Sequence, residues 1–127
     1  MKILVALNSK TYSEYLSFRF KKMGDYALVV SDGLSALDAL ESEPWDVVFI
    51  AVALDYFNGL EVIERYYHFV ETLAGDKEKH ADFMKTRFII VTRLRNEKVR
   101  KNALALGVSD YFQLPLKTSL LIDKVKV

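Results

Sequence analysis

The chain has 127 residues, of which 51% are hydrophobic and 28% charged. That is one ordinary globular domain, with too little length for a second core. Its 18 Lys and Arg nearly cancel its 17 Asp and Glu, so no global basic field advertises nucleic acid; the absence of cysteine excludes disulfides, thiolate metal sites and a cysteine nucleophile. No apolar run approaches the ~20 residues of a membrane span, and Ile3–Leu7 is too short for the apolar centre of a signal peptide. The expectation is a single cytoplasmic domain covering residues 1–127, with no membrane contact and no direct nucleic-acid binding.

Ile3-Leu4-Val5-Ala6-Leu7, closed by Asn8-Ser9, reads as a strand buried on both faces. Ser9 to Glu14 offers capping residues for a first helix. Tyr12, Tyr15, Leu16, Phe18 and Met23 then recur at roughly helical spacing, up to a natural stop at Gly24. Ala27–Val30 predicts a second buried strand. Ser31-Asp32-Gly33 is a turn and cap for a second helix carrying Leu34, Leu37, Ala39 and Leu40, which must end before Pro44. Val47–Val52 predicts a third strand, and Asp55-Tyr56-Phe57-Asn58-Gly59 a loop with turn chemistry.

Leu60, Val62, Ile63, Tyr66, Tyr67, Val70 and Leu73 mark a third, amphipathic helix. Gly75 to Asp82 is dense in charge and reads as a solvated loop or a helix extension. Phe88–Thr92 predicts the fourth strand. Val99, Ala103, Leu104 and Leu106 place a fourth helix that Gly107 closes. Tyr111-Phe112 marks a short fifth strand, Pro115 interrupts, and Ser119 to Val127 predicts a last, short helix.

Five βα repeats with mostly apolar strands imply a parallel sheet covered by helices on both faces. Right-handed crossovers restrict the topology to doubly wound arrangements. In such sheets the functional crevice lies at the carboxyl ends of the strands. The residues placed there are Leu7, Asn8, Ala51, Val52, Thr92, Arg93, Gln113 and Leu114.

Several segments in register resemble the receiver domain of two-component response regulators. They are Lys2–Val5, Ser31–Leu37, Pro44–Ile50, Asn58–Glu61, Ile89–Thr92 and Ala105–Phe112. Spacing agrees without gaps from Leu7 to Gly59 and from Thr92 to Pro115. Around residues 73–85 the chain is longer than the family pattern by about ten residues on typical loop lengths. The resemblance implies a flavodoxin-like, doubly wound (βα)5 three-layer sandwich with a five-stranded parallel sheet in the order 2-1-3-4-5. It also implies a cis peptide before Pro115.

Carried across residue by residue, the resemblance gives a negative result. The two acidic positions that hold Mg²⁺ in the family fall on Leu7 and Asn8, the phosphoacceptor on Ala51 and the lysine on Leu114. Thr92 keeps the hydroxyl position, and Tyr111 matches the aromatic switch position. Aspartyl phosphorylation needs a carboxylate nucleophile, a divalent ion and a cation on the phosphoryl oxygens; Ala51, Leu7 and Leu114 supply none of them. Leu7, Ala51 and Leu114 are instead suited to an apolar plug, since both signs of buried charge have gone together.

The expectation is a pseudo-receiver of signal transduction: not an enzyme, not a phosphoacceptor, with no metal and no cofactor. The alternative is a receiver switched by a small ligand or by modification at a non-standard residue such as Asp55. His68 and His80 lack companion ligands for a metal. No glycine-rich phosphate loop follows the first strand, which leaves a nucleotide-binding enzyme without support.

A domain of this kind acts through contacts. Arg93, Arg95, Lys98, Arg100 and Lys101 crowd the predicted fourth helix and the loop before it, a same-sign patch beside Tyr111 suited to a protein partner. The face of that helix, the fifth strand and the last helix is the one the family uses for homodimers. Tyr56-Phe57 reads either as a partner anchor or as packing over the plugged pocket. An output domain after Val127 is the family's common arrangement.

Overall fold

In the computed structural model, which describes residues 1–126, five apolar runs pair as parallel strands. In chain order the elements are β1 (Lys2–Ala6), α1 (Lys10–Lys22), β2 (Tyr26–Val30), α2 (Gly33–Ser42), β3 (Val47–Ile50), α3 (Gly59–Glu71), α4 (Lys77–Met84), β4 (Arg87–Thr92), α5 (Glu97–Ala105), β5 (Asp110–Gln113) and α6 (Thr118–Lys126). The sheet order is β2-β1-β3-β4-β5, the expected doubly wound arrangement. Val127, the expected end of the last helix, lies outside the described residues.

The strand period of two sorts the core into two layers. Ile3, Val5, Val47, Phe49, Ile89 and Val91 point to the face covered by α1 and α6, where Leu16, Phe20, Leu121, Ile122 and Val125 meet them. Leu4, Ala6, Val48, Ile50, Phe88 and Ile90 point to the face covered by α2, α3, α4 and α5. Register aligns Ala6 with Ile50 and Ile50 with Ile90. The carboxyl ends of β1 and β3 therefore finish level with one another, β4 runs two residues further to Thr92, and the residues at these ends form one shelf.

Four expectations need correction. β2 is not a buried strand: it sits at the edge, pairs only with β1, and leaves Tyr26 and Val29 exposed. On α1 the buried positions are Ser13, Leu16, Ser17 and Phe20; Tyr15, Phe18 and Met23 face solvent. Leu34 on α2 and Leu104 on α5 are exposed as well, because the faces of those helices are set by Ala36, Leu37 and Leu40 and by Ala103. The charged stretch after α3 is neither a loop nor an extension. It holds the separate helix α4, capped by the Asp76 carboxylate on the Lys79 N–H at 3.1 Å and fastened by one buried residue, Phe83. The predicted fourth helix is thus α5.

Phe83 enters an aromatic cluster with Tyr66, Phe69 and Phe88. The Tyr66 hydroxyl donates to the Phe83 carbonyl, and Thr86 Oγ1 donates to the Trp45 carbonyl at 2.7 Å. Burial pushes the Tyr66 phenol up, so it stays a neutral donor. At the same amino-terminal edge of the sheet, just before β2, Asp25 accepts from the Met1 ammonium at 3.0 Å, and Lys126 Nζ lies 2.6 Å from its second oxygen.

Candidate functional site

Leu7, Ala51 and Leu114 follow the ends of β1, β3 and β5, and all three are buried in the layer beneath α1 and α6. The sheet brings them there through hydrogen bonds that extend its ladders by one step. The Ala51 N–H donates to the Ala6 carbonyl at 3.0 Å, and the Leu114 N–H to the Thr92 carbonyl at 2.8 Å. Leu114 is followed by Pro115 through a cis peptide bond. The expected apolar association of the three residues is present, and no carboxylate lies among them.

Asn8 behaves differently. Its side chain is at the surface and donates from Nδ2 to the Ala53 carbonyl at 2.8 Å, tying the β1–α1 loop to the β3–α3 loop. Beside it lies a small cavity of about 60 Å³, lined by Asn8, Ala51, Ala53, Thr92, Arg93 and Leu94. Mg²⁺ demands an octahedron of oxygens and reads best through carboxylates. This lining offers no carboxylate, and Arg93 brings a positive charge to it, so the residues do not fit the divalent ion that receivers hold. Among the described residues, no three His, Asp or Glu gather elsewhere into a metal-binding group.

Thr92 is buried, and its Oγ1 accepts the Leu94 N–H at 3.1 Å, so the hydroxyl caps the turn that leaves β4. Tyr111 pairs in register with Ile90 and packs on the layer beneath α2, α3 and α5. Burial pushes its phenol up, Arg100 lowers it and Glu97 raises it. Its Oη is buried without a hydrogen-bond partner among the described residues.

The β3–α3 loop crosses the shelf under tight constraints. The Gly33 N–H donates to the Asp55 carbonyl at 3.0 Å, and the Gly59 N–H to the Val52 carbonyl at 2.8 Å. A Cβ on Gly33 would collide with the Phe57 carbonyl, and one on Gly59 with the Ala51 carbonyl. Asn58 caps α3 through a complete capping box with Glu61. Tyr56 takes a positive φ of 68° and is 77% exposed. Phe57 turns away from the cavity: it packs on the layer under α2 and α3, with the Arg65 guanidinium 4.0 Å above its ring. The pair does not cover the apolar plug. Asp55 lies exposed on this loop.

Arg93, Arg95, Lys98, Arg100 and Lys101 are all exposed. Arg100 is paired with Glu97 at 3.3 Å, and the Arg93 guanidinium lies 6.0 Å from the Tyr12 ring. Exposed Leu94, Leu104 and Leu120 add apolar area on α5, α6 and the loop before α5. His68 lies 4.0 Å from Glu71 on an exposed helix face. Sequence reasoning missed Ala53 and Leu94, which act through a carbonyl and an N–H and so leave no side-chain signal to read. Among the described residues, no helix is long and apolar enough to cross a membrane.

No protein-family model matches the chain. Solved structures do. The receiver domain of the Francisella response regulator 1452 is 23% identical, with a TM-score of 0.76 over 98% of this chain and 93% of that one. A two-component response regulator from Clostridium difficile is 20% identical, with a TM-score of 0.80 over 99% and 93%. The Vibrio cholerae chemotaxis protein CheY4 is 16% identical, with a TM-score of 0.78 over 98% and 95%. Identities this low speak for architecture, and with the 2-1-3-4-5 sheet they give the conclusion that the chain has the CheY-like fold of response-regulator receiver domains.

Proposed function

We propose that this chain is a pseudo-receiver: a signalling domain that accepts no phosphoryl group and acts in signal transduction by binding a protein partner. One observation carries it. At the positions where the family's acidic pocket, acceptor and lysine fall, Leu7, Ala51 and Leu114 are buried together as an apolar layer. Nucleophile, metal ligands and cation are replaced in a mutually consistent way, because keeping any one charge there would leave it buried and unpaired. Output then rests on a surface, and the basic patch of Arg93, Arg95, Lys98, Arg100 and Lys101 beside exposed Leu94 and Leu104 supplies charge for steering and apolar area for anchoring.

The test is exposure of the intact chain to acetyl phosphate with Mg²⁺, read by intact-mass spectrometry. The expected spectrum shows no stoichiometric phosphoryl adduct, and titration calorimetry with Mg²⁺ shows no specific heat. A stoichiometric adduct overturns the proposal, and its loss in Asp55→Asn would identify that loop carboxylate as a relocated acceptor.

A further inference from the structure

α1 buries serine where a helix on a sheet ordinarily buries a large apolar residue. Its inward positions are Ser13, Leu16, Ser17 and Phe20. Leu16 and Phe20 fill their part of the layer beneath α1, whereas the short side chain of Ser13 leaves space beside it. That space is a half-open pocket of about 360 Å³ at the carboxyl ends of β1 and β2.

Leu7 and Val29 are its apolar walls. Val29 pairs in register with Val5, so strand alternation turns it toward α1. β2 is the edge of the sheet, so no further strand covers Val29, and it stays 40% exposed. The Ser13 hydroxyl is buried and makes no hydrogen bond among the described residues. Holding no bond, it is free to turn between staggered wells toward the pocket it lines. Ser31 adds an exposed hydroxyl just beyond β2. Lys10 and Glu14 stand exposed at the rim, 3.8 Å apart, so each charge is met by the other. Asn8, the remaining lining residue, is committed to the Ala53 carbonyl.

These groups select the chemistry of an occupant. A buried hydroxyl without a partner costs stability that a partner restores, and apolar walls favour an apolar body. A carboxylate entering here meets Glu14, an ammonium meets Lys10, and either has to break up the pair at the rim. A neutral hydroxyl meets Ser13 as donor or acceptor and disturbs neither charge. We infer that this pocket binds a small neutral alcohol or phenol, with its hydroxyl on Ser13 and its apolar body between Leu7 and Val29. The volume is that of a small-molecule site, and the place, outside the carboxyl ends of the strands, is where open α/β sheets hold ligands. Binding there does not depend on whether the chain accepts a phosphoryl group.

The test is a titration of the isotope-labelled whole chain with phenol, which is neutral at physiological pH, and with benzoate, which is ionised there, read by amide chemical shifts. Phenol gives saturable shifts centred on Leu7, Ser13, Glu14 and Val29, and benzoate gives none. Ser13→Ala keeps the space and removes the hydroxyl. It weakens phenol binding by about threefold to tenfold and raises the thermal midpoint of the free chain, because no unpartnered hydroxyl is left buried. Ser13→Leu fills the space and abolishes the shifts; should the larger side chain unfold the domain, Ser13→Ala decides the matter. Phenol shifts that are absent or centred elsewhere, benzoate bound as tightly as phenol, or Ser13→Ala binding phenol as tightly as the wild type, each overturns the inference.

Discussion

Ala51 stands where the receiver resemblance places the acceptor, and its surroundings decide what an aspartate there would do. Its neighbours Leu7 and Leu114 offer no hydrogen bond and no cation. Ala51→Asp is therefore expected to destabilise the domain by about 1–3 kcal/mol in urea unfolding, more as the pH rises and the new carboxyl ionises. It should restore no phosphoryl adduct. Asp25 presents the opposite case. Burial alone would raise its carboxyl, but Lys126 and the Met1 ammonium outweigh that and hold it below the ordinary carboxylate value. The Ser35 N–H lowers Asp32 at the start of α2 in the same sense. Because both folded values are depressed, their stabilisation is fully present above the unfolded carboxylate value and disappears as the pH falls through the folded ones. Acid unfolding followed by circular dichroism should show Asp25→Asn less stable than wild type at neutral pH, with the gap closing in acid.

Among the elements, α4 is held by a single buried side chain. Its eight residues are below the length at which an isolated helix persists in water, and Phe83 alone is buried. Phe83→Ala is expected to cost about 3–5 kcal/mol and to raise hydrogen exchange in α4 more than in β1 or β3. Tyr66→Phe keeps the ring and removes the hydroxyl that donates to the Phe83 carbonyl and lies 3.1 Å from Thr86 Oγ1, for a loss of about 1–2 kcal/mol. The β3–α3 loop depends on two glycines instead. Gly33→Ala forces a methyl group into the Phe57 carbonyl, so a loss of about 1–3 kcal/mol in thermal unfolding is expected. The same contact explains why the loop follows a path that turns Phe57 toward α3 and exposes Tyr56.

Viewed whole, the molecule offers distinct surfaces, and substitutions separate them. Arg100→Glu with Lys101→Glu should reduce recovery of bound partner in affinity capture from the source cells, while the thermal midpoint stays nearly unchanged, because exposed ion pairs contribute roughly 0–1 kcal/mol. If the α5 reversals leave capture intact and Lys77→Glu with Lys79→Glu abolishes it, the partner surface belongs to α4.

The architecture was legible in the order of apolar runs, because strands buried on both faces must be almost wholly apolar, and Val47–Ile50 and Phe88–Val91 are. Leu7, Ala51, Thr92 and Leu114 could be located from spacing alone, since each follows or ends a strand. Where burial depended on neighbours, the sequence was silent. α1 buries a regular helical face, but two of its four buried residues are serines, so hydrophobicity pointed to Tyr15 and Phe18 on the solvent side. The exposure of β2 follows from its place at the sheet edge, which no local pattern encodes. α4 forms because Phe83 finds Tyr66, Phe69 and Phe88, partners contributed by two other elements. The grouping of Leu7, Ala51 and Leu114 in one buried layer likewise appears only after the sheet has set the ends of β1, β3 and β5 side by side on one face: spacing places each residue at a strand end, and topology decides which ends meet.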